Sequence, residues 1–143
     1  MHDQSARQNP RPAQPEDGFV VEFETHVLQK ALPAFEEACR FARDRGLDCQ
    51  VELLEDSAGQ PQLCLLARLG ESQPHSHYRI VADPASQGLT HELYLACDDQ
   101  HQRLSAHLAS INSTVLDTQL AEFFRRAFGM RLEYVEERHD VGF

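Results

Sequence analysis

The stretch HYRIVADPASQGLTHELYLAC, residues 77–97, decides the fold class of this chain. Apolar residues occupy alternate positions on both sides of the turn PASQG: Tyr78, Ile80, Ala82, Leu93, Leu95 and Cys97. A period of two is typical of a strand that is buried on one face only. Two such runs joined by a short polar connection predict an antiparallel pair of strands.

The same period extends to both sides of this pair. Residues 49–53 and 63–69 alternate in the same way, and the turn-rich stretch EDSAGQPQ separates them. The segment 103–111 fits two patterns, because Leu104, Ala106 and Leu108 alternate like a strand while Leu104, Leu108 and Ile111 fit a helical stripe. The short polar loop before it favours a fifth strand in a meander.

A helical period precedes the strands. Residues 25–45 carry one apolar stripe at spacings of three and four, formed by Leu28, Leu32, Phe35, Cys39 and Ala42. Pro33 removes a hydrogen bond from such a helix, so we expect either a kink near Gln29 or a regular helix that starts near Leu32. Gly46 is placed to end it.

A second helical stripe follows the strands, formed by Leu116, Leu120, Phe123, Phe124 and Ala127. Thr114-x-x-Asp117 resembles a capping box at its start, and Gly129 is placed to end it. Residues 131–143 are expected to form an acidic tail or a short added strand.

These elements predict one α+β domain over residues 19–130, preceded by a flexible leader, residues 1–18. We expect two layers: an antiparallel sheet of four or five strands packed against an N-terminal and a C-terminal amphipathic helix.

The charge of the chain excludes some partners. Thirteen basic against twenty-three acidic residues give a net charge of -10, which disfavours nucleic acid as a ligand. No apolar stretch approaches the ~20 residues that cross a bilayer, and the N-terminus lacks the apolar region of a secretory signal. We therefore expect a cytosolic protein that does not bind membranes.

Catalytic and cofactor motifs are missing from the sequence. It contains no G-x-G-x-x-G, G-x-S-x-G or H-E-x-x-H pattern, and its four cysteines form no C-x-x-C pair. We expect a non-enzymatic protein without a cofactor, whose cysteines act as small buried residues.

One pair of histidines keeps a metal site open as an alternative. His75 and His77 point to the same side of a strand. In an antiparallel pair the numbers of two opposed residues always add to the same sum. Pairing Ile80 with Leu93 gives a sum of 173, and pairing it with Leu95 gives 175. Under the sum of 173, His75 faces Asp98, while Cys97 turns into the core. His75, His77 and Asp98 would then serve a metal-dependent enzyme or a metal sensor. The favoured interpretation is that these side chains face solvent at the sheet edge.

The outer face of the predicted sheet carries more apolar side chains than a solvated face needs. Its candidate partner-binding residues are Leu54, Leu66, Arg68, Arg79, Val81 and Tyr94. We therefore expect a protein-binding module, that is, a regulator, adaptor or chaperone. A homodimer that uses the outer sheet face or the final helix is the expected assembly.

The size, the acidity and the order of helix, strands and final amphipathic helix are similar to the type III secretion chaperone-like fold. That resemblance implies a chaperone function. The chain departs from the fold where its usual second helix would stand between strands, since only PASQG occupies that place.

Overall fold

The computed structural model describes residues 15–139. Three helical segments come first: α1 (Pro15–His26), a π-helical turn (Val27–Ala31) and α2 (Leu32–Asp44). The strands β1 (Asp48–Glu55), β2 (Pro61–Arg68), β3 (Ser76–Asp83), β4 (Gly88–Leu95) and β5 (Gln100–Ala106) follow. A 3-10 turn (Leu108–Ser110), α3 (Ser113–Phe128) and α4 (Glu133–Arg138) complete the order.

The sheet confirms the predicted meander. All five strands are antiparallel, and their spatial order is their order along the chain. Residues 103–106 belong to β5, so the interpretation of this segment as a strand is correct up to Ala106. A four-residue turn, residues 84–87, joins β3 to β4 and leaves no room for the helix that the type III secretion chaperone-like fold has between strands.

The N-terminal helix starts earlier than predicted. It begins at Pro15, inside the segment that the composition assigned to a leader, whereas residues 1–14 lie outside the described part of the chain. The predicted irregularity near Gln29 is a π turn, in which the Leu32 amide donates to the Val27 carbonyl. Since Pro33 lacks the N–H of a regular helix, the extra residue of this turn is accommodated next to it.

The π turn moves the buried stripe of this helix. The residues buried along it are Phe19, Phe23, Val27, Ala31, Phe35, Ala38, Cys39 and Ala42. From Phe19 to Phe35 the buried residues are always four apart. Because a regular α-helix has 3.6 residues per turn, such a stripe would move gradually around the helix, and the wider π turn corrects part of this displacement. Leu28, which the sequence assigns to the core stripe, is consequently 53% exposed.

The final long helix confirms its predicted stripe but not its predicted cap. Leu116, Leu120, Phe123 and Phe124 are buried. The N-cap is Asn112, whose side chain accepts a hydrogen bond of 2.9 Å from the Val115 amide. Gly129 ends the helix in the left-handed conformation with a φ of 66°.

Asp117 has another role than the one the capping box assigned to it. Its carboxylate is buried and accepts two hydrogen bonds of 3.0 Å from the Arg138 guanidinium. His139 lies 2.7 Å from the same carboxylate. These contacts fasten α4 to α3, so the segment that was expected to form a tail or a strand is a packed helix, with residues 140–143 outside the described part.

Within residues 15–139, the helices cover one face of the sheet and none of them packs on the other. The core lies between α1–α3 and the sheet side chains that include Leu63, Leu65, Tyr78, Ile80 and Leu93. This arrangement is the predicted two-layer α+β fold. Within residues 15–139, no helix has the length and apolar character that crossing a membrane requires.

Candidate protein-binding face of the sheet

The side chains that point away from the helices form rows across all five strands. We call this surface the open face. The aromatic row contains Gln50, Leu66, His77, Tyr94 and His101; the charged row contains Glu52, Cys64, Arg79, Glu92 and Arg103; the third row contains Leu54, Gln62, Val81, Thr90 and Ser105. Each row follows from the strand register, because directly opposed residues of antiparallel strands share a face.

The charged row neutralises itself. Arg79 Nη2 lies 2.7 Å from Glu92 Oε1, and Arg103 Nε lies 3.4 Å from Glu92 Oε2. The three rows hold two acidic side chains, Glu52 and Glu92, and two basic ones, Arg79 and Arg103. The whole chain has a net charge of -10. The three rows therefore carry no net charge, in contrast to the strongly acidic chain as a whole.

Rings and apolar groups fill the aromatic row. The ring centroids of His77 and Tyr94 are 5.4 Å apart, and those of Tyr94 and His101 are 4.6 Å apart. Partial burial, together with the Arg79 guanidinium, lowers the pKa of His77 to about 4. The His77 ring is thus neutral at pH 7, and it presents aromatic surface without adding charge.

The candidate partner-binding residues all lie on the open face. Leu66, Arg79, Val81 and Tyr94 are half-buried, and Leu54, at the end of the edge strand, is 43% exposed. Arg68 lies at one margin, where its Nε is 2.7 Å from Asp48 Oδ2. The period-two pattern was sufficient to place these six side chains on one surface.

The predicted metal ligands are not brought together. The register of β3 and β4 pairs His77 with Tyr94 and Ile80 with His91, which gives a sum of 171 instead of 173 or 175. The predicted faces are correct because all three sums are odd, and an odd sum puts the same side chains on the same face. Asp98, however, does not oppose either histidine and lies in the turn after β4. Among residues 15–139, no group of three or more His, Cys, Asp or Glu side chains is arranged to hold a metal ion.

Cys97 is also placed differently from the prediction. It lies in the turn between β4 and β5 and is exposed, whereas the alternation assigned it to the core. The strand ends at Leu95, so its period does not extend to Cys97. A hydrogen bond to Asp98 raises the pKa of its thiol, which keeps the thiol protonated.

The other three cysteines are buried as expected, and two of them interact. A hydrogen bond with the Cys49 thiol lowers the pKa of Cys39, and the same bond raises the pKa of Cys49. Arg43, whose Nε donates to the Cys49 carbonyl oxygen at 2.7 Å, supports the lowered pKa of Cys39. This pair joins α2 to β1 below the sheet and does not contribute to the open face.

One polar network was missed by the sequence reasoning. His91 Nδ1 is 2.7 Å from the Tyr78 hydroxyl, and His91 Nε2 is 2.9 Å from the Ser110 hydroxyl. The imidazole is 1% exposed, and burial lowers its pKa to about 4. A neutral imidazole has one donor and one acceptor nitrogen, which two hydroxyl groups satisfy. Such burial denies a substrate access to the ring, so the network serves the core; its one sequence signal is the alternation that puts His91 in phase with Leu93.

We compared the chain with protein-family models, curated proteins and solved structures, and none of them matches it.

Proposed function

We propose that this chain is a cytoplasmic, non-enzymatic protein-binding module, an adaptor or chaperone that forms a homodimer through the open face. The observation that carries this proposal is the neutral, partly apolar sheet face on a strongly acidic molecule. Two copies with a net charge of -10 each repel one another over most of their surface. The three rows of the open face carry no net charge and therefore add nothing to this repulsion.

The area of the open face supports the same proposal. Five strands about 4.8 Å apart and about eight residues long span roughly 600 Å². Two such faces bury roughly 1,200 Å², the lower end of the range for specific interfaces. Aligned packing of two sheets places their inner faces about 10 Å apart with interdigitated side chains.

The rows are complementary to themselves under one two-fold axis. An axis that runs along β3 places β1 of one copy over β5 of the other, at the same height. Glu52 then faces Arg103 of the second copy, and Leu66 faces Tyr94 of the second copy. Arg79 faces its own counterpart, where Glu92 neutralises each guanidinium from 2.7 Å.

The experiment is sedimentation equilibrium of the wild-type chain and of two leucine variants. Leu66→Glu adds a charge to the aromatic row and is expected to give a monomer, because an unpaired carboxylate in an interface must lose its hydration. Leu69→Glu is the matched control, since Leu69 is 66% exposed in the loop after β2 and lies outside the rows. A monomeric wild type, or two variants with the same mass, would contradict the proposal.

A further inference from the structure

The two edge strands of the sheet differ in character. β5, with the sequence QHQRLSA, is almost entirely polar and exposed. β1, with the sequence DCQVELLE, carries near its end the two leucines Leu53 and Leu54, which are 53% and 43% exposed. An edge strand that exposes apolar side chains is a template for pairing with another chain. Because β1 lies at the edge of the sheet, no other strand within residues 15–139 pairs with the backbone groups on its outer side.

An apolar groove adjoins the same strand. It has a volume of about 500 Å³ and lies between α1, the π turn and the C-terminal half of β1. Phe23 and Val27 are buried at 1% and 2% exposure, whereas Leu28 and Leu53 on the groove are each 53% exposed. The π turn is what leaves Leu28 outside the core, next to an edge leucine on the helix side of the sheet.

The charge at this edge indicates which kind of segment could bind there. The residues that line the groove include Glu24 and Glu55 and no Lys, Arg or His. β1 itself carries no basic residue; of its three acidic residues Asp48 is paired with Arg68, which leaves Glu52 and Glu55. Pairing β1 with β1 of a second copy would bring acidic side chains together, and like charges on neighbouring strands are destabilising.

We propose that β1 and the adjoining groove bind an extended, alternately apolar and basic segment of another protein as a sixth strand of the sheet. The main chain of the segment pairs with the free edge of β1, and its apolar side chains enter the groove beside Leu28 and Leu53. Its basic side chains meet the acidic residues of β1. This site names the partner of the proposed protein-binding function and rests on it. It adjoins the open face, with which it shares Glu52, Leu54 and Gln62, but strand pairing at β1 does not need the dimer.

The probe is a peptide of alternating valine and lysine, about eight residues long to match β1. We expect it to bind the full chain in a fluorescence anisotropy titration and to slow amide hydrogen exchange within residues 48–55. A peptide with glutamate in place of lysine tests the charge, and one with a central proline tests strand pairing, because proline lacks the N–H donor. Both control peptides are expected to bind at least about tenfold more weakly.

Matched variants locate the site. Leu53→Lys is expected to raise the Kd of the valine–lysine peptide about tenfold, because it places a cation at the groove. Leu104→Lys is the control at the other edge, on β5, where Leu104 is 47% exposed. The Leu66→Glu variant is expected to keep wild-type peptide affinity, which separates this site from the dimer interface.

Four results would overturn the inference. The first is that the valine–lysine peptide does not bind, and the second is that the glutamate peptide binds equally well. The third is that Leu53→Lys and Leu104→Lys weaken the affinity for the valine–lysine peptide by the same factor. The fourth is a wild-type dimer that Leu53→Lys alone dissociates. The last result would assign β1 to a second copy of the chain.

Discussion

His91 shows how one side chain carries a pH dependence inside an apolar core. Its hydrogen bonds to Tyr78 and Ser110 fit the neutral ring, and its exposed fraction is 1%. The unfolded chain protonates this histidine near pH 6.5, whereas burial lowers the pKa in the folded chain to about 4. Between these values the unfolded state binds more protons than the folded state.

The free energy of unfolding should therefore fall as the pH falls from 6.5 to 4. His91 contributes at most about 3 kcal/mol to this loss, since each unit of pKa difference corresponds to about 1.4 kcal/mol. Chemical denaturation at intervals of pH measures it. The His91→Gln variant should be less stable at pH 7 and should lose less stability over this range than the wild type.

The control is His107→Gln, because His107 is exposed after β5. It should keep the wild-type dependence on pH. A His91→Gln variant whose stability falls as steeply as that of the wild type would show that His91 is not the responsible group.

At the scale of elements, the N-terminal helix is defined by the extra residue in its π turn. The Leu32 amide bonds to the Val27 carbonyl, five residues earlier. Gln29 is exposed, and its deletion would reduce the sequence separation of this hydrogen bond from five residues to the four of a regular α-helix. The spacing between Val27 and Ala31 in the buried stripe would change from four residues to three. The stripe would then fit a continuous α-helix more closely.

We therefore predict that the Gln29 deletion still folds and lowers the free energy of unfolding by no more than about 3 kcal/mol, the penalty for Pro33 inside a regular α-helix. Deletion of Arg40, which is also exposed and lies in regular α2, should rotate all preceding residues by about 100° and move Phe35 out of the core. Circular dichroism melting distinguishes the two. Equal destabilisation by both deletions would contradict this explanation of the π turn.

The docking of α4 depends on a buried carboxylate. Asp117 has a side chain exposure of 2%, and the Arg138 guanidinium binds it while also lying 3.1 Å from Glu37 on α2. Arg138→Met keeps the aliphatic part of the side chain but leaves the carboxylate with His139 alone. We predict a loss of about 2 kcal/mol in the free energy of unfolding.

Adding Asp117→Asn to this variant should restore part of the loss, because a neutral amide costs less to bury than a carboxylate. Arg131→Met removes the exposed ion pair with Glu136 and should leave stability unchanged. Denaturant titration of the three variants is the measurement. If Arg138→Met were as stable as Arg131→Met, the buried pair would not hold α4.

At the scale of the whole molecule, periodicity predicts which face each side chain takes but not how far strands slide along each other. The apolar pattern around Ile80 fits every register of β3 and β4 in which the numbers of opposed residues add to an odd sum. It therefore could not distinguish a sum of 171 from one of 173. The pairing that excludes Asp98 depends on where the turn after β4 begins. The turn includes Cys97, an apolar residue that alternation alone counts as strand.

Long-range contacts explain the other differences between sequence and structure. Asp117 is acidic near a helix start, so a capping role was the natural interpretation; its partner Arg138 lies 21 residues away and gives no local signal. Leu28 fits the stripe of a regular helix, and only the π turn before Pro33 removes it from the core. Its exposure helps to form the groove beside β1, a candidate site that periodicity had hidden.

The charge distribution unites the two proposed surfaces. The acidic excess disfavours self-association through most of the surface, the open face without net charge is the proposed dimer surface, and the acidic edge at β1 is the proposed site for a basic segment of a partner. A dimer would present two such edges on opposite sides of one double sheet.

The charge-reversal test of the dimer examines this claim most directly. In the proposed dimer Glu52 faces Arg103 of the second copy, so Glu52→Arg and Arg103→Glu each place like charges together, whereas the double variant restores the attraction. Sedimentation equilibrium should find a dimer for the wild type, a monomer for each single variant and a dimer again for the double variant. Single variants that remain dimeric, or a double variant that remains monomeric, would contradict association through the open face.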